Sequence, residues 1–274
     1  MNIEHVSTQN QQFWNELCGS QLAKQLGITD SSIKSLKKFD DWYFDFYPYL
    51  FDHIPFADLK GKDVLEVGLG YGTVSQKIAE AGANYQGLDI AEGPVEMVKH
   101  RLQQARLKGK TIQGSILNPP FAPNSFDVVV AIGCFHHTGN IKLAIDNSYN
   151  LLRPGGKLIL MVYYAYSSRR FRMAFIKTML YMAKESAGYR GCVENSSKDE
   201  RVAYDKNSDG SGAPHTDWVS IRSLKDMCSR FTECNATLEN IAQEIPFIVI
   251  SRDRLLKTRW PKLLGLDLYA TAIK

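Results

Sequence analysis

Apolar positions in the middle of the chain follow two alternating rhythms. Val64-Leu65-Glu66-Val67 is a short apolar run interrupted by one acid; it meets Gly68, Gly70 and Gly72 and passes into Val74, Ile78 and Ala81 at helical spacing. This pattern predicts a buried strand, a tight glycine turn and an amphipathic helix. Gly82 closes that helix as a C-terminal glycine does, and Asn84 to Leu88 predicts a second strand ended by Asp89. Pro94 opens the next helix, with Val95, Val98, Leu102 and Ala105 on its buried face as far as Gly109. Thr111 to Gly114 and Phe126 to Ile132 read as the third and fourth strands, and Ile141, Ala144, Ile145, Tyr149 and Leu152 as a helix ending at Arg153-Pro154-Gly155-Gly156, a plain turn outside any site. Lys157 to Tyr164 is nearly continuous in apolar residues, as a strand covered on both faces should be.

Strands alternating with helices imply a parallel sheet with helices on both faces. Thr237 to Ile241 and Asp267 to Ile273 supply two more strands, with a segment of no clear period between them. The expected fold is therefore α/β, a Rossmann-like sheet of seven mostly parallel strands. Two additions frame it. Residues 1–60 form a helical arm dense in aromatics, among them Trp14, Phe39, Trp42, Tyr43, Phe44, Phe46, Tyr47 and Tyr49, with Asp30-Ser31-Ser32 capping one helix. Residues 167–217 interrupt the alternation after the fifth strand. Phe171, Ala174, Phe175, Met179 and Met182 share one helical face there, and residues 195–212 are rich in Ser, Asn, Asp and Gly. That composition predicts a helix followed by a mobile loop, a candidate lid over the C-terminal edge of the sheet. The core then comprises residues 61–166 and 218–274, the second part opening with a compact helix after Ser220.

Composition adds bounds. The chain has 274 residues, 44% hydrophobic and 23% charged, enough for one large domain with decorations. A formal charge of +4 permits an acidic partner and requires none. The five cysteines lie scattered, without CxxC pairs or a Cys/His cluster at zinc spacing, so reduced thiols, no metal and a cytoplasmic location are expected. The N-terminus lacks the charge and apolar run of a signal peptide, and the longest apolar stretch, Leu158 to Tyr166, falls well short of the roughly 20 residues of a membrane span. No nucleic-acid module is visible.

The glycine turn carries the chemistry. A dinucleotide site keeps its third glycine three residues beyond the second, where this chain has Thr73. Glu66 would also repel a pyrophosphate and suit a cationic ligand. In these features, with Asp89 ending the second strand and Leu151-Leu152-Arg153-Pro154-Gly155-Gly156 before the fifth, residues 60–165 resemble the class I S-adenosylmethionine-dependent methyltransferases of small molecules, with a methyltransferase type 11-like domain. The resemblance implies S-adenosylmethionine as donor, with S-adenosylhomocysteine as product. Glu66, Gly68 and Gly70 would then hold the methionine portion, Asp89 the ribose hydroxyls, and Ile90 and Ile116 the adenine. Ser115 stands where the family usually has an acid, which puts the bond to the adenine amine in question. Ile132 and Gly133 would flank the methionine portion. The aromatics of the N-terminal arm read as packing it on the main domain, and Tyr43 and Tyr47 among them read also as a roof over the cofactor.

Methyl transfer is an in-line displacement that asks the protein mainly for alignment and exclusion of water. A base is needed where the acceptor must lose a proton. His136 and His137 after the fourth strand read either as that base or as the opening of the next helix. His215 with Asp217 reads either as a base with its orienter or as a solvated loop. Tyr163, Tyr164 and Tyr166 leave the fifth strand toward the same edge, for packing or for substrate. Arg169, Arg170 and Arg172 suit either an acidic small-molecule substrate or a solvated helix face. The leading expectation is methyl transfer to an oxygen or nitrogen of a small metabolite. The alternatives are an RNA or protein methyltransferase, a nicotinamide-dependent oxidoreductase, or a binding protein that keeps the fold without activity. Oligomeric state is not legible.

Overall fold

The computed structural model describes residues 3–193, 196–241 and 250–274. Four helices come first: α1 (Ile3–Trp14), α2 (Ser20–Gln25), α3 (Ile33–Phe46) and α4 (Leu50–His53). The alternating core follows as β1 (Asp63–Val67), α5 (Thr73–Glu80), β2 (Asn84–Asp89), α6 (Glu92–Gln104), β3 (Lys110–Gln113), β4 (Phe126–Ile132), α7 (Ile141–Leu151) and β5 (Leu152–Tyr163). Next come α8 (Ser168–Met173), α9 (Phe175–Ser186) and α10 (Lys198–Val202), then α11 (Ile221–Met227), β6 (Glu233–Glu239), α12 (Arg252–Leu256), α13 (Trp260–Leu264) and β7 (Asp267–Ile273).

The sheet has seven strands in the order β3-β2-β1-β4-β5-β7-β6. Neighbours from β3 to β5 run parallel, and β7 is antiparallel to both β5 and β6. Strand order reverses between β1 and β4, so a crevice opens beyond their C-terminal ends, the place where open α/β sheets take ligands. Alternation along β4 divides the core. Val128 and Val130 pack with Ile78, Val98 and Ile159 on one face. Val129 and Ala131 pack with Ile145, Leu158 and Leu160 on the other.

Several boundaries differ from the sequence expectation for physical reasons. The turn Pro154-Gly155-Gly156 is a bulge inside β5: pairing passes from Phe126–Leu152 to Val128–Lys157, with Gly155 at φ +76°. β6 lies upstream of the expected Thr237–Ile241 because it is an edge strand, whose exposed Glu233 and Asn235 hide its start. The single helix expected from Phe171 to Met182 breaks at Ala174 (φ −139°, ψ 44°). Past the break, Phe175 and Met179 of the expected apolar face point outward, while Ala174 stays inside. Phe175, Ile176, Met179 and Leu180 are exposed, while Ala174, Thr178, Tyr181 and Glu185 face inward. The polar stretch expected over residues 195–212 contains α10, held by a capping box between Ser197 and Glu200, and a bridge between Lys206 and Gly212. Its first residue, Asn195, lies outside the described residues. Among the described residues no helix is long and apolar enough to cross a membrane.

Candidate functional site

The apolar residues of β1 are buried between layers, and the chain leaves the strand through three left-handed glycines, Gly68 (φ +80°), Gly70 (φ +52°) and Gly72 (φ +80°). Two of them are required by close approach. A Cβ on Gly68 would stand 2.4 Å from the Cβ of Cys134, and one on Gly72 would stand 2.8 Å from Cδ of Arg101. At Gly70 the nearest neighbour is Cys18 at 3.6 Å, which leaves the backbone approachable. Leu69 between them is buried, and Tyr71 stacks on Phe39 of α3 with centroids 4.0 Å apart.

Thr73, the residue that departs from the dinucleotide pattern, has a definite task. Its hydroxyl donates to Asp40 Oδ1 of α3 at 2.6 Å, and the Arg101 guanidinium donates to both Asp40 oxygens at 2.8 and 3.0 Å. Arg101 is 1% exposed. This buried latch ties the N-terminal helices to the start of α5.

Asp89 ends β2 beside the turn. Its Oδ2 accepts the Leu69 N–H at 2.7 Å and its Oδ1 the Ala91 N–H at 2.9 Å, so the carboxylate is fixed in direction. Burial pushes its carboxyl up to about 6, against the pull of the backbone amides of Ala91 and Leu69. The Gly68 N–H meets the Leu88 carbonyl at 2.9 Å, which closes the corner between β1 and β2.

A cavity of about 240 Å³ lies above this corner. Its lining includes ten of the eleven residues expected at the cofactor: Tyr43, Tyr47, Gly68, Gly70, Asp89 and Ile90, with Ser115, Ile116, Ile132 and Gly133. Tyr43 comes from the last turn of α3 and Tyr47 caps its C-terminus, and the latch holds that helix over the turn. Ser115 accepts the Leu117 N–H at 3.1 Å and so is engaged in its own turn.

Glu66 is the exception. It is 3% exposed, does not line the cavity, and accepts the Tyr85 hydroxyl at 2.7 Å. Burial pushes its carboxyl up to about 7. A strand alternates its side chains, so the acid before Gly68 points into the layer between sheet and helices rather than at the crevice.

The three histidines separate just as clearly. His136 is fully buried, absent from the lining, and held well below the ordinary imidazole pKa by burial; its ring lies 4.0 Å from that of Tyr163. It is out of reach of a substrate. His215 is also absent from the lining; its Nε2 lies 3.0 Å from Asp217 Oδ1, so the expected pair exists, but behind the wall. His137 alone faces the cavity. Its Nδ1 lies 2.7 Å from the His215 carbonyl, and its Nε2 lies 3.5 Å from Asp205 Oδ2.

Asp205, which sequence reasoning missed, reaches the cavity from the insertion, and the Tyr163 hydroxyl donates to both its oxygens at 2.9 and 3.0 Å. One acid in a polar loop carries no motif. Trp14 closes the same end, its ring 4.8 Å from that of His137. The three arginines offered for an acidic substrate are absent from the lining. Arg170 is 1% exposed, pairs with Glu200 at 3.1 Å and lies over the Trp218 ring, and Arg169 donates to the Ala203 carbonyl. Arg169 and Arg170 thus hold the insertion together.

Residues 65–160, the stretch from β1 to β5 that carries the glycine turn, match the methyltransferase domain family. Among curated proteins, the chain is 27% identical over 121 residues to the demethylmenaquinone methyltransferase of Tropheryma whipplei, covering 44% of this chain and 48% of that protein. It is 30% identical over 122 residues to the ubiquinone biosynthesis O-methyltransferase of Coxiella burnetii, covering 44% and 50%. The chain thus spans about half the length of the curated relatives it matches. Among solved structures, an S-adenosylmethionine dependent methyltransferase from Mesorhizobium loti superposes with a TM-score of 0.55 at 14% identity, covering 83% of this chain and 97% of that one, a likeness of fold.

Proposed function

We propose that this chain binds S-adenosylmethionine in the cavity above β1 and β4 and transfers its methyl group to an oxygen or nitrogen of a small molecule. The observation that carries the reading is Asp89, an acceptor-only carboxylate aimed by two backbone amides at the wall of a cavity floored by open glycine backbone. A ribose diol offers two hydroxyl donors, which suits it. Ile90 and Ile116 supply flat apolar walls for adenine, and Gly68, Gly70 and Gly133 let the methionine portion lie against backbone.

When bound, the donor supplies a methyl carbon activated by a sulfonium. The chain's own contribution is alignment and the exclusion of water. Tyr43, Tyr47 and Trp14 cover the cavity from the N-terminal helices, and Asp205 covers it from the insertion. These two coverings meet: Ser208 of the insertion donates to Glu16 between α1 and α2 through both its N–H and its hydroxyl. A closed roof favours a small molecule over an RNA strand or a protein surface. His137, Tyr163 and Asp205 form the polar end, where the acceptor's hydroxyl or amine would sit.

Thr73 supports the same choice of donor over a nicotinamide dinucleotide, since its hydroxyl is committed to Asp40 at the position a pyrophosphate site leaves to glycine. The name of one curated relative, an O-methyltransferase similar over 44% of this chain, supports an oxygen acceptor. Calorimetric titration with S-adenosylhomocysteine and with NAD tests the reading. Binding of the first at micromolar strength with no heat from the second is expected; binding of NAD alone would overturn it.

A further inference from the structure

The polar end of the cavity holds more than alignment requires. His136 and His137 are neighbours on one short turn, Asp205 comes from the distant insertion, and one ligating atom from each lies within 4.8 Å of the other two. Spacing along the chain gives no hint of this group.

His137 carries the clearest signal. Its Nδ1 donates its hydrogen to the His215 carbonyl at 2.7 Å, which fixes the tautomer and leaves the Nε2 lone pair turned toward Asp205 Oδ2 at 3.5 Å. A lone pair and a carboxylate oxygen repel unless something positive lies between them. Two ligand atoms about 2.1 Å from one metal ion, at a tetrahedral angle, stand roughly 3.4 Å apart. The outer partners fit as well. A backbone carbonyl on the far nitrogen of a histidine and a hydroxyl on a ligating carboxylate are the usual supports of metal ligands, and here they are His215 O and Tyr163 Oη. His136 is fully buried, and neither ring nitrogen has a hydrogen-bond partner. An imidazole left in that condition is costly unless a ligand completes it.

We propose that His136, His137 and Asp205 bind one divalent first-row transition metal ion of the zinc type, with a coordination position open to the cavity. Two imidazoles and one carboxylate make a borderline donor set that suits such ions better than magnesium or calcium. His137 and Asp205 both line the cavity, so the open position faces the acceptor end. Resting on the methyl-transfer reading, the site has a defined use. An acceptor hydroxyl on the open position gives up its proton to solvent more readily; the oxygen lone pair then forms the C–O bond as the C–S bond breaks, its electrons passing to the sulfur of the departing thioether.

The test uses the full chain, freed of metal by a chelator and then titrated with Zn²⁺ against a chromophoric competitor, and separately with Co²⁺. The expected result is one equivalent bound per chain, with Co²⁺ giving ligand-field bands and no thiolate charge-transfer band, which sets this site apart from the five cysteines. Asp205→Asn should weaken binding by about a hundredfold or more, and Tyr163→Phe by about 10–100-fold. Substoichiometric binding, a thiolate band, or equal affinity in Asp205→Asn with an unchanged circular dichroism spectrum would overturn the inference, and a proton shared by His137 and Asp205 would then hold the pair. Titration of the same preparations with S-adenosylhomocysteine keeps the two ideas apart. If S-adenosylhomocysteine binds and metal does not, the metal site fails and the methyl-transfer reading stands; metal binding without S-adenosylhomocysteine would do the reverse.

Discussion

Replacing Asp40 by alanine strikes the latch between the N-terminal helices and the glycine turn. Arg101 has no exposed side-chain surface, and Asp40 receives both of its terminal nitrogens together with the Thr73 hydroxyl. After the substitution the guanidinium keeps the hydrogen bond to Gln76 Oε1 at 3.1 Å and its place over the Tyr71 ring. Removing one partner of a buried ion pair costs about 3–5 kcal/mol. Asp40 is 18% exposed, so water reaches the gap, and the lower end applies, about 3 kcal/mol. With a urea slope of about 3 kcal/mol/M for a chain of this size, the unfolding midpoint should fall by about 1 M. Asp40→Asn, which keeps an acceptor and loses the charge, should fall by less than half as much. Arg101→Met combined with Asp40→Ala should be less destabilising than the two single losses added, by about 1–3 kcal/mol. Because α3 also carries Tyr43 and ends at Tyr47, S-adenosylhomocysteine affinity should weaken with the latch. A loss below about 1 kcal/mol in Asp40→Ala, or additive single losses, would show that the pair does not hold the helices to the core.

Two other perturbations follow from the same geometry. Gly68→Ala combines a left-handed φ of +80° with a Cβ 2.4 Å from that of Cys134, so a backbone penalty of about 1–2 kcal/mol adds to overpacking of about 1–3 kcal/mol; urea unfolding checks the sum, and a neutral result would mean the turn can rearrange. The buried carboxyls of Glu66, Asp89 and Asp267 are pushed up by burial to about 7, about 6 and about 7, from ordinary values of 4.5, 3.8 and 3.8. The folded chain therefore binds these protons more tightly than the unfolded chain, and the stabilisation this gives at low pH is lost as pH rises through the folded values. The unfolding midpoint of the ligand-free chain should decline between about pH 5 and about pH 7; a midpoint that rises steadily across that window would contradict the burial assigned to these groups.

The sheet and the glycine corner between β1 and β2 were readable in the sequence because their signals are local. A strand buried on both faces writes a continuous apolar run, and glycines at every second position mark backbone that must turn left-handed, so Gly68, Gly70 and Asp89 could be placed without coordinates. Signals that depend on packing between distant elements could not be read this way. Glu66 seemed to face the ligand because its sequence neighbours do, yet strand alternation sends it to Tyr85. His136 and His137 are indistinguishable as letters; a short turn buries one and presents the other. Asp205 and Tyr163 meet across the insertion, and Arg170 is consumed by Glu200 and Trp218, neither of which announces itself in composition. Past the break at Ala174, Phe175 and Met179 point outward, and periodicity alone reads them as buried.

Asp89 carries the central claim, and calorimetric titration of S-adenosylhomocysteine into the wild-type chain and into Asp89→Ala tests it most directly. Two hydroxyl bonds to a fixed carboxylate are worth about 1.5–3 kcal/mol each, so the variant should bind at least about a hundredfold more weakly. Its unfolding midpoint without ligand should stay near that of the wild type, because the substitution also relieves a buried charge. Affinities within about threefold of one another would contradict the ribose seat at Asp89 and, with it, the placement of the methyl donor in this cavity.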